Sequence, residues 1–310
     1  MCAGAFAVGS LALLYTFQDR MLYLPGAPIR HIKDNPPGYR SPEERRIKYE
    51  TIELHVPDCP EDVIKGWLMT HSDSLHDTLL FPDGKLRKTV VFFHENAGNL
   101  GLRLDYFSML YNEMGLNVIS FAYRGYSDSI LQAGFPSESS IKQDAHIIMA
   151  YLASYKQQTG APVFAVGRSL GGAVAAYAAL IEPDVFDGLI LENTFTSIAD
   201  MVDSLFYFVG YFKPLILRIK WDTRQIVSQL QLPILFVTGT NDEIVPPGQT
   251  MVLADAAKKS VFKNVMTVLS GRHNDTWRLT LDQYKENLGS FMRDALSFAG
   301  NLCLLKEQSE

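Results

Sequence analysis

The sequence predicts an α/β fold: a mainly parallel eight-stranded sheet with helices on both faces and a small cap. Two patterns carry this expectation. Short runs rich in β-branched and aromatic residues recur along the chain, and from residue 88 onward each is followed by a helix-like stretch. The composition agrees, because 310 residues at 47% hydrophobic and 20% charged can bury a sizeable core. It excludes a disordered chain, a collagen and a small disulfide scaffold. The expected organisation is an apolar membrane-anchor segment at 1–24, one α/β domain at 37–300 with a cap near 197–221, and a tail at 301–310.

In order, the strand candidates are 47–56, 63–70, 88–93, 117–122, 162–166, 187–192, 232–238 and 264–269. The first two are placed to pair as a hairpin. Helix-like stretches follow at 99–115, 138–158, 170–182, 198–206, 247–259 and 276–298, and residues 71–88 read as a polar hairpin loop. The aromatic-rich segment Ser197–Trp221 interrupts the alternation and suits a cap over a pocket or an ordinary core helix. Its Phe206, Tyr207, Phe208, Tyr211 and Phe212 fit an apolar acyl pocket, a core or a membrane-facing patch.

Ala3 to Phe17 contain no charge and lead through Gln18, Asp19 and Arg20 to the apolar Met21-Leu22-Tyr23-Leu24. The run is short for a spanning helix, which wants about 20 apolar residues, and it lacks the basic start of a signal peptide. A single signal-anchor helix extends to Leu24 if Asp19 and Arg20 snorkel or sit at the interface; a helix docked on the domain is the other reading. Removing residues 1–17 is expected to release the protein from membranes and spare catalysis. The expected location is an endomembrane, such as the endoplasmic reticulum, or the plasma membrane. Arg20, Arg30 and Lys33 on the C-terminal flank would leave the body cytoplasmic. The sequon Asn274-Asp275-Thr276 adjoins a candidate site residue and is expected to be unused.

A net charge of −6 offers no electrostatic footprint for nucleic acid. Cys2, Cys59 and Cys303 are far apart, and His31, His55, His71 and His76 have no spaced partner, so neither metal nor other cofactor is expected. Oligomeric state is left open.

The chemistry gathers around Gly167-Arg168-Ser169-Leu170-Gly171, which lies between a Val-rich strand and a helix of small residues. In such a strand-to-helix turn, glycines on either side allow the close approach that holds the serine exposed at the sheet's carboxyl edge and at a helix N-terminus. A serine hydroxyl needs a base, and the base needs an orienting acid, later in the chain. Asp242 follows the strand LPILFVT, with Glu243 as the rival acid, and His273 follows the last strand. The oxyanion donors are assigned to the amides of Leu170 and Asn96, with Ala97 one residue from the latter. Arg124 reads as a structural hydrogen-bonder.

The motifs H-E-N-A-G-N, Y-R-G-Y-S, G-R-S-L-G-G, N-D-E-I-V-P-P and G-x-H-N-D-T-W resemble those of α/β-hydrolase-fold serine hydrolases. They are similar to the membrane-anchored bud-emergence type and the α/β-hydrolase-domain-containing protein thirteen family. With F-Q-D-R-x-L-Y-L-P, the resemblance runs from about Phe17 to Phe298. It implies an α/β-hydrolase fold and a triad of Ser169, Asp242 and His273. One departure stands out: Glu95 replaces the glycine usual in the family that the chain resembles, so a backbone conformation suited to glycine, or a carboxylate near the developing oxyanion, is expected to lower activity.

The expected function is a membrane-associated hydrolase of carboxylic esters or thioesters, on lipid-like or acylated substrates such as a palmitoyl-protein thioester, acting through an acyl-enzyme. An amidase or peptidase with the same triad, or a weakly active binding or scaffold protein, are the alternatives.

Overall fold

The computed structural model describes residues 2–71, 87–205 and 213–307. Eight strands form one sheet: β1 (Tyr49–Val56), β2 (Cys59–Met69), β3 (Thr89–Phe93), β4 (Asn117–Phe121), β5 (Val163–Arg168), β6 (Gly188–Glu192), β7 (Ile234–Gly239) and β8 (Lys263–Val268). Their order is β1-β2-β4-β3-β5-β6-β7-β8. The expected hairpin pairs β1 with β2, β2 runs antiparallel to β4, and every remaining pair is parallel. The strand β2 starts at Cys59 rather than residue 63, because the Val56–Cys59 pairing leaves only Pro57 and Asp58 to turn the hairpin. Its first three residues are exposed and carry no hydrophobic pattern to announce them.

The helices are α1 (Cys2–Leu22), α2 (Leu104–Ser108), α3 (Glu138–Thr159), α4 (Leu170–Ile181), α5 (Ile198–Leu205), α6 (Lys213–Ile216), α7 (Thr223–Val227), α8 (Pro247–Ala256), α9 (Thr276–Leu279) and α10 (Leu281–Glu307). The expected helix at 99–115 is instead three short pieces, with α2 between a 3-10 turn and a π-type turn. Side-chain bonds from Asn99 to Ile29 O and Asn35, and from Tyr39 to Asp105, pin this stretch to the segment before the sheet. The last predicted helix breaks at Thr280 and continues to Glu307, so most of the expected tail at 301–310 is helical. Phe206, Tyr207, Phe208, Tyr211 and Phe212 lie outside the described residues, as does 72–86 of the polar loop.

Alternation along β5 sorts the two faces. A Cβ on Gly167 would meet Gly171 and Gly172, so that face belongs to α4. Phe164 meets Phe291 of α10, and Arg168 lies over the Tyr106 ring of α2, so α2 and α10 cover the other face. The core strands β3 to β7 are buried along their whole length, as a sheet covered on both sides requires.

Among the described residues no helix is long and apolar enough to cross a membrane. The last turns of α1 dock on the domain. Gln18 Nε2 donates to Ile216 O and its Oε1 accepts from the amides of Arg218 and Ile219, at 2.8–3.0 Å. Asp19 pairs with Arg218, and Arg20 sits over the Phe135 ring. Tyr23 is buried and accepts from Trp221 Nε1 at 2.9 Å.

Candidate active site

Ser169 joins β5 to α4 at φ 53° and ψ −122°, a backbone conformation that L-residues rarely adopt. Its strain is held by the packing around it. A Cβ on Gly167 would stand 2.3 Å from Gly171 O, and one on Gly171 would stand 2.0 Å from Phe93 O. Ser169 N donates to Glu192 O at 3.0 Å, and Thr194 Oγ1 donates to Ser169 O at 2.7 Å. Gly171→Ala therefore forces α4 away from β3. The expected cost is about 3 kcal/mol, or a melting temperature lowered by roughly 6–12 °C. An unchanged melting curve would show that the elbow needs no such contact.

Asp242 sits beyond the end of β7 and His273 beyond the end of β8. His273 Nδ1 lies 3.0 Å and 2.8 Å from the two Asp242 carboxylate oxygens, and both side chains are buried. The carboxylate can only accept, so Nδ1 carries the proton and Nε2 is left with a lone pair. Asp242 Oδ1 also accepts from the amides of Ile244 and Val245 at 2.9 and 2.8 Å, which fixes its rotamer. The rival acid Glu243 reaches only the backbone amide of His273, at 3.5 Å. Ser169 and His273 line one cavity, and no hydrogen bond joins the Ser169 hydroxyl to another described residue. In unliganded sites such bonds are often long and tighten with substrate.

Asn193, which sequence patterns did not single out, positions this pair. It is buried at the end of β6 with φ 47°. Its Nδ2 donates to His273 O at 2.9 Å and Thr276 Oγ1 at 2.7 Å, while its Oδ1 accepts from Gly239 N at 3.0 Å. One amide thus ties the His273 loop to the strand that presents Asp242. No local motif marks such a role; only the left-handed backbone does.

Leu170, Asn96 and Ala97 all line the cavity. The Asn96 carbonyl accepts from Leu24 N at 2.8 Å and Tyr126 Oη at 2.9 Å, and Asn96 Nδ2 donates to Leu22 O at 2.8 Å. Neither the Asn96 nor the Leu170 amide donates to another described residue. His94, behind this loop, is fully packed: its Nδ1 bonds Glu95 O at 2.7 Å, and its Nε2 accepts from Tyr123 N at 3.2 Å. Burial, with the nearby Arg103 charge, pulls its pKa down to about 3, so it is a neutral strut.

The Glu95 carboxylate is paired on both sides. Arg103 grips it through Nε and Nη2 at 2.9 and 2.8 Å, and Arg168 Nη1 stands 3.3 Å away, itself paired with buried Glu192 at 3.0 Å. Burial alone would raise the Glu95 pKa, but the two guanidinium groups outweigh it and hold the carboxyl down to about 2. Glu95 thus joins the loop after β3 to the residue preceding Ser169. Arg124, as expected, is structural, bonded to Asp144, Asp62 and Gln143.

The cavity has a volume of about 690 Å³ and is lined largely by apolar side chains. Ile198, Met201 and Ile216 come from α5 and α6, Phe195 from the loop after β6, and Leu14 and Met21 from α1.

Comparison with known proteins shows what the chain as a whole is similar to. The family model described as "Serine aminopeptidase, S33" matches residues 84–220. Protein bem46 of Schizosaccharomyces pombe is 34% identical over 277 residues, 89% of this chain and 86% of that protein. The α/β-hydrolase domain-containing protein WAV2 of Arabidopsis thaliana is 33% identical over 286 residues, covering 88% and 87%. A Saccharomyces cerevisiae protein named as an uncharacterized membrane protein, YNL320W, is 31% identical over 286 residues, covering 91% of each chain. Among solved structures, the Pyrococcus furiosus esterase Pf2001 superposes with a TM-score of 0.64 at 17% identity, covering 83% of this chain and 94% of that one. That likeness is one of fold.

Proposed function

The chain belongs to the α/β-hydrolase family, beside Protein bem46 and WAV2, and from that premise we propose that it is a membrane-associated serine hydrolase of carboxylic esters or thioesters carrying lipid-like acyl groups. The observation that carries the reading is the His273–Asp242 pair, set in the same apolar cavity as a strained Ser169. Ser169 Oγ attacks the acyl carbonyl as His273 Nε2 takes its proton, and Asp242 holds the imidazolium that forms. The amides of Leu170 and Asn96 stabilise the developing oxyanion. The C–O or C–S bond then breaks, His273 returns the proton to the leaving group, and water releases the acid by the reverse sequence.

An aminopeptidase is the second reading, favoured by the name of the matching family model. It needs a carboxylate to receive a substrate's ammonium group. Among the described residues lining the cavity only Glu95 carries one, and two arginines already hold it. The binding or scaffold reading drew on Glu95 alone, and that pairing removes its motive. Membrane association is supported by the exposed Leu13, Phe17 and Met21 of α1 and by the name of the yeast relative.

Stopped-flow hydrolysis tests the proposal. We expect a burst of about one equivalent of nitrophenol from p-nitrophenyl esters, turnover of the matched thioester, and slower release from the matched anilide. A faster anilide would establish the amidase instead. Absence of both turnover and fluorophosphonate labelling in folded protein would sink the enzyme.

A further inference from the structure

The side chains of α1 divide into two adjoining stripes. Leu14, Gln18 and Leu22, spaced every four residues, line the cavity that holds Ser169. Leu13, Phe17 and Met21 form the next stripe, about 100° round the helix. These three are 60%, 45% and 55% exposed. Met21 of the exposed stripe also lines the cavity, as does the exposed Leu24 just past the end of α1. The cavity mouth and the exposed apolar stripe are therefore continuous. The helix is also seated firmly enough to serve as a wall. Gln18 closes on Ile216, Arg218 and Ile219, and Asp19 pairs with Arg218. The exit of α1 is stitched to the oxyanion loop through Leu24 N to Asn96 O, Asn96 Nδ2 to Leu22 O, and the bridge between Leu24 and Ala97.

We propose that α1 is the outer wall of an acyl-chain cavity whose mouth opens onto a lipid surface, so that the substrate is a long-chain acyl amphiphile taken from that surface. This rests on the hydrolase reading of Ser169. The lining chemistry selects the occupant. An apolar chain makes no demand for hydrogen bonds on Leu14, Leu22, Phe195, Ile198 or Met201, whereas a polar substrate would leave its own groups unpaired there. An exposed apolar stripe carrying Leu and Phe rests most favourably at the boundary of headgroups and acyl chains. A chain leaving that boundary at Met21 enters the cavity without crossing water. The α1 helix then does more than tether: part of the chain-binding site leaves with residues 1–17 when they are removed.

Two measurements on full-length protein separate the cavity from the chemistry. In the first, kcat/KM is measured for p-nitrophenyl esters from butyrate to palmitate. The wild type is expected to gain about fourfold per methylene until the cavity is filled. Leu14→Trp fills the inner wall. Met21→Trp narrows the mouth at a position exposed enough to take the ring without strain. Each is expected to lower the laurate-to-butyrate ratio by at least about tenfold; a chain-length profile identical to wild type overturns the proposal. In the second, 11-(dansylamino)undecanoic acid is bound to Ser169→Ala protein with and without each tryptophan. A Kd weakened by about tenfold or more is expected. If the wild type cleaves no ester but this probe is bound and then lost, the hydrolase reading fails and the cavity stands. Equal binding in all variants sinks the cavity whatever the chemistry. For the lipid source, flotation with phosphatidylcholine vesicles is expected to drop about fivefold in Leu13→Gln/Phe17→Gln, and unchanged flotation removes the lipid surface from the proposal.

Discussion

Ser169→Ala is expected to hydrolyse p-nitrophenyl butyrate roughly 10⁴- to 10⁶-fold more slowly than the wild type, with the burst gone and fluorophosphonate labelling abolished. In the proposed mechanism both the acyl-enzyme and the proton taken by His273 depend on Oγ, so no part of that two-step route survives its loss. What remains is the catalysis that oriented binding and the amides of Leu170 and Asn96 give to direct attack by water. Folding should be little affected. The left-handed backbone at 169 costs alanine about what it costs serine, and the backbone bonds from Ser169 N to Glu192 O and from Thr194 to Ser169 O do not use the hydroxyl. Retention of more than about a hundredth of wild-type turnover in a preparation free of contaminating esterase would place the nucleophile elsewhere.

Glu95→Gln is expected to lose stability and activity together. The resemblance read from the sequence implies the opposite expectation, that a carboxylate beside an oxyanion lowers activity. In the structure Glu95 is the common partner of Arg103 and Arg168, and its removal leaves those cations with Glu192 and backbone carbonyls alone. Removing one partner of a buried ion pair costs about 3–5 kcal/mol, and the same loss loosens the oxyanion loop from the residue before Ser169. The pH dependence follows. The Glu95 pKa is depressed from 4.5 to about 2 in the folded state, so its stabilisation is fully present above pH 4.5 and is lost as pH falls toward 2. That difference is worth on the order of 3 kcal/mol. Thermal unfolding followed from pH 7 to pH 3 should show a shallower acid decline in Glu95→Gln than in wild type. Parallel declines, or a variant as stable as wild type at pH 7, would mean that the pair is energetically idle.

The candidate site residues could be named from sequence because each is marked by a local event in the chain. The Val-rich run before Ser169 and the small residues after it announce a strand, an elbow and a helix. The Ser169, Asp242, His273 order follows from where parallel strands present their carboxyl ends. Asn193 and Glu192 were not legible, since each acts through partners far away in sequence: Asn193 across to His273, and Glu192 to Tyr284 and Arg168. Arg103 lies only eight residues from Glu95, but no periodicity or motif marks that pair. The discontinuous pieces at 99–115 were hidden for the same reason, being shaped by bonds to Ile29 and Asn35.

By itself the sequence determined the class of fold, the eight strands and their alternation with helices, and the identity of the nucleophile, acid and base candidates, because periodicity and turn chemistry are written within a few residues. Only the tertiary structure decided which way Glu95 faces, what holds His273 in place, and that α1 forms a wall of the cavity rather than a detached appendage. Those outcomes depend on which distant groups share one buried volume, where charges must pair and apolar faces must meet, and no spacing within a single segment encodes that.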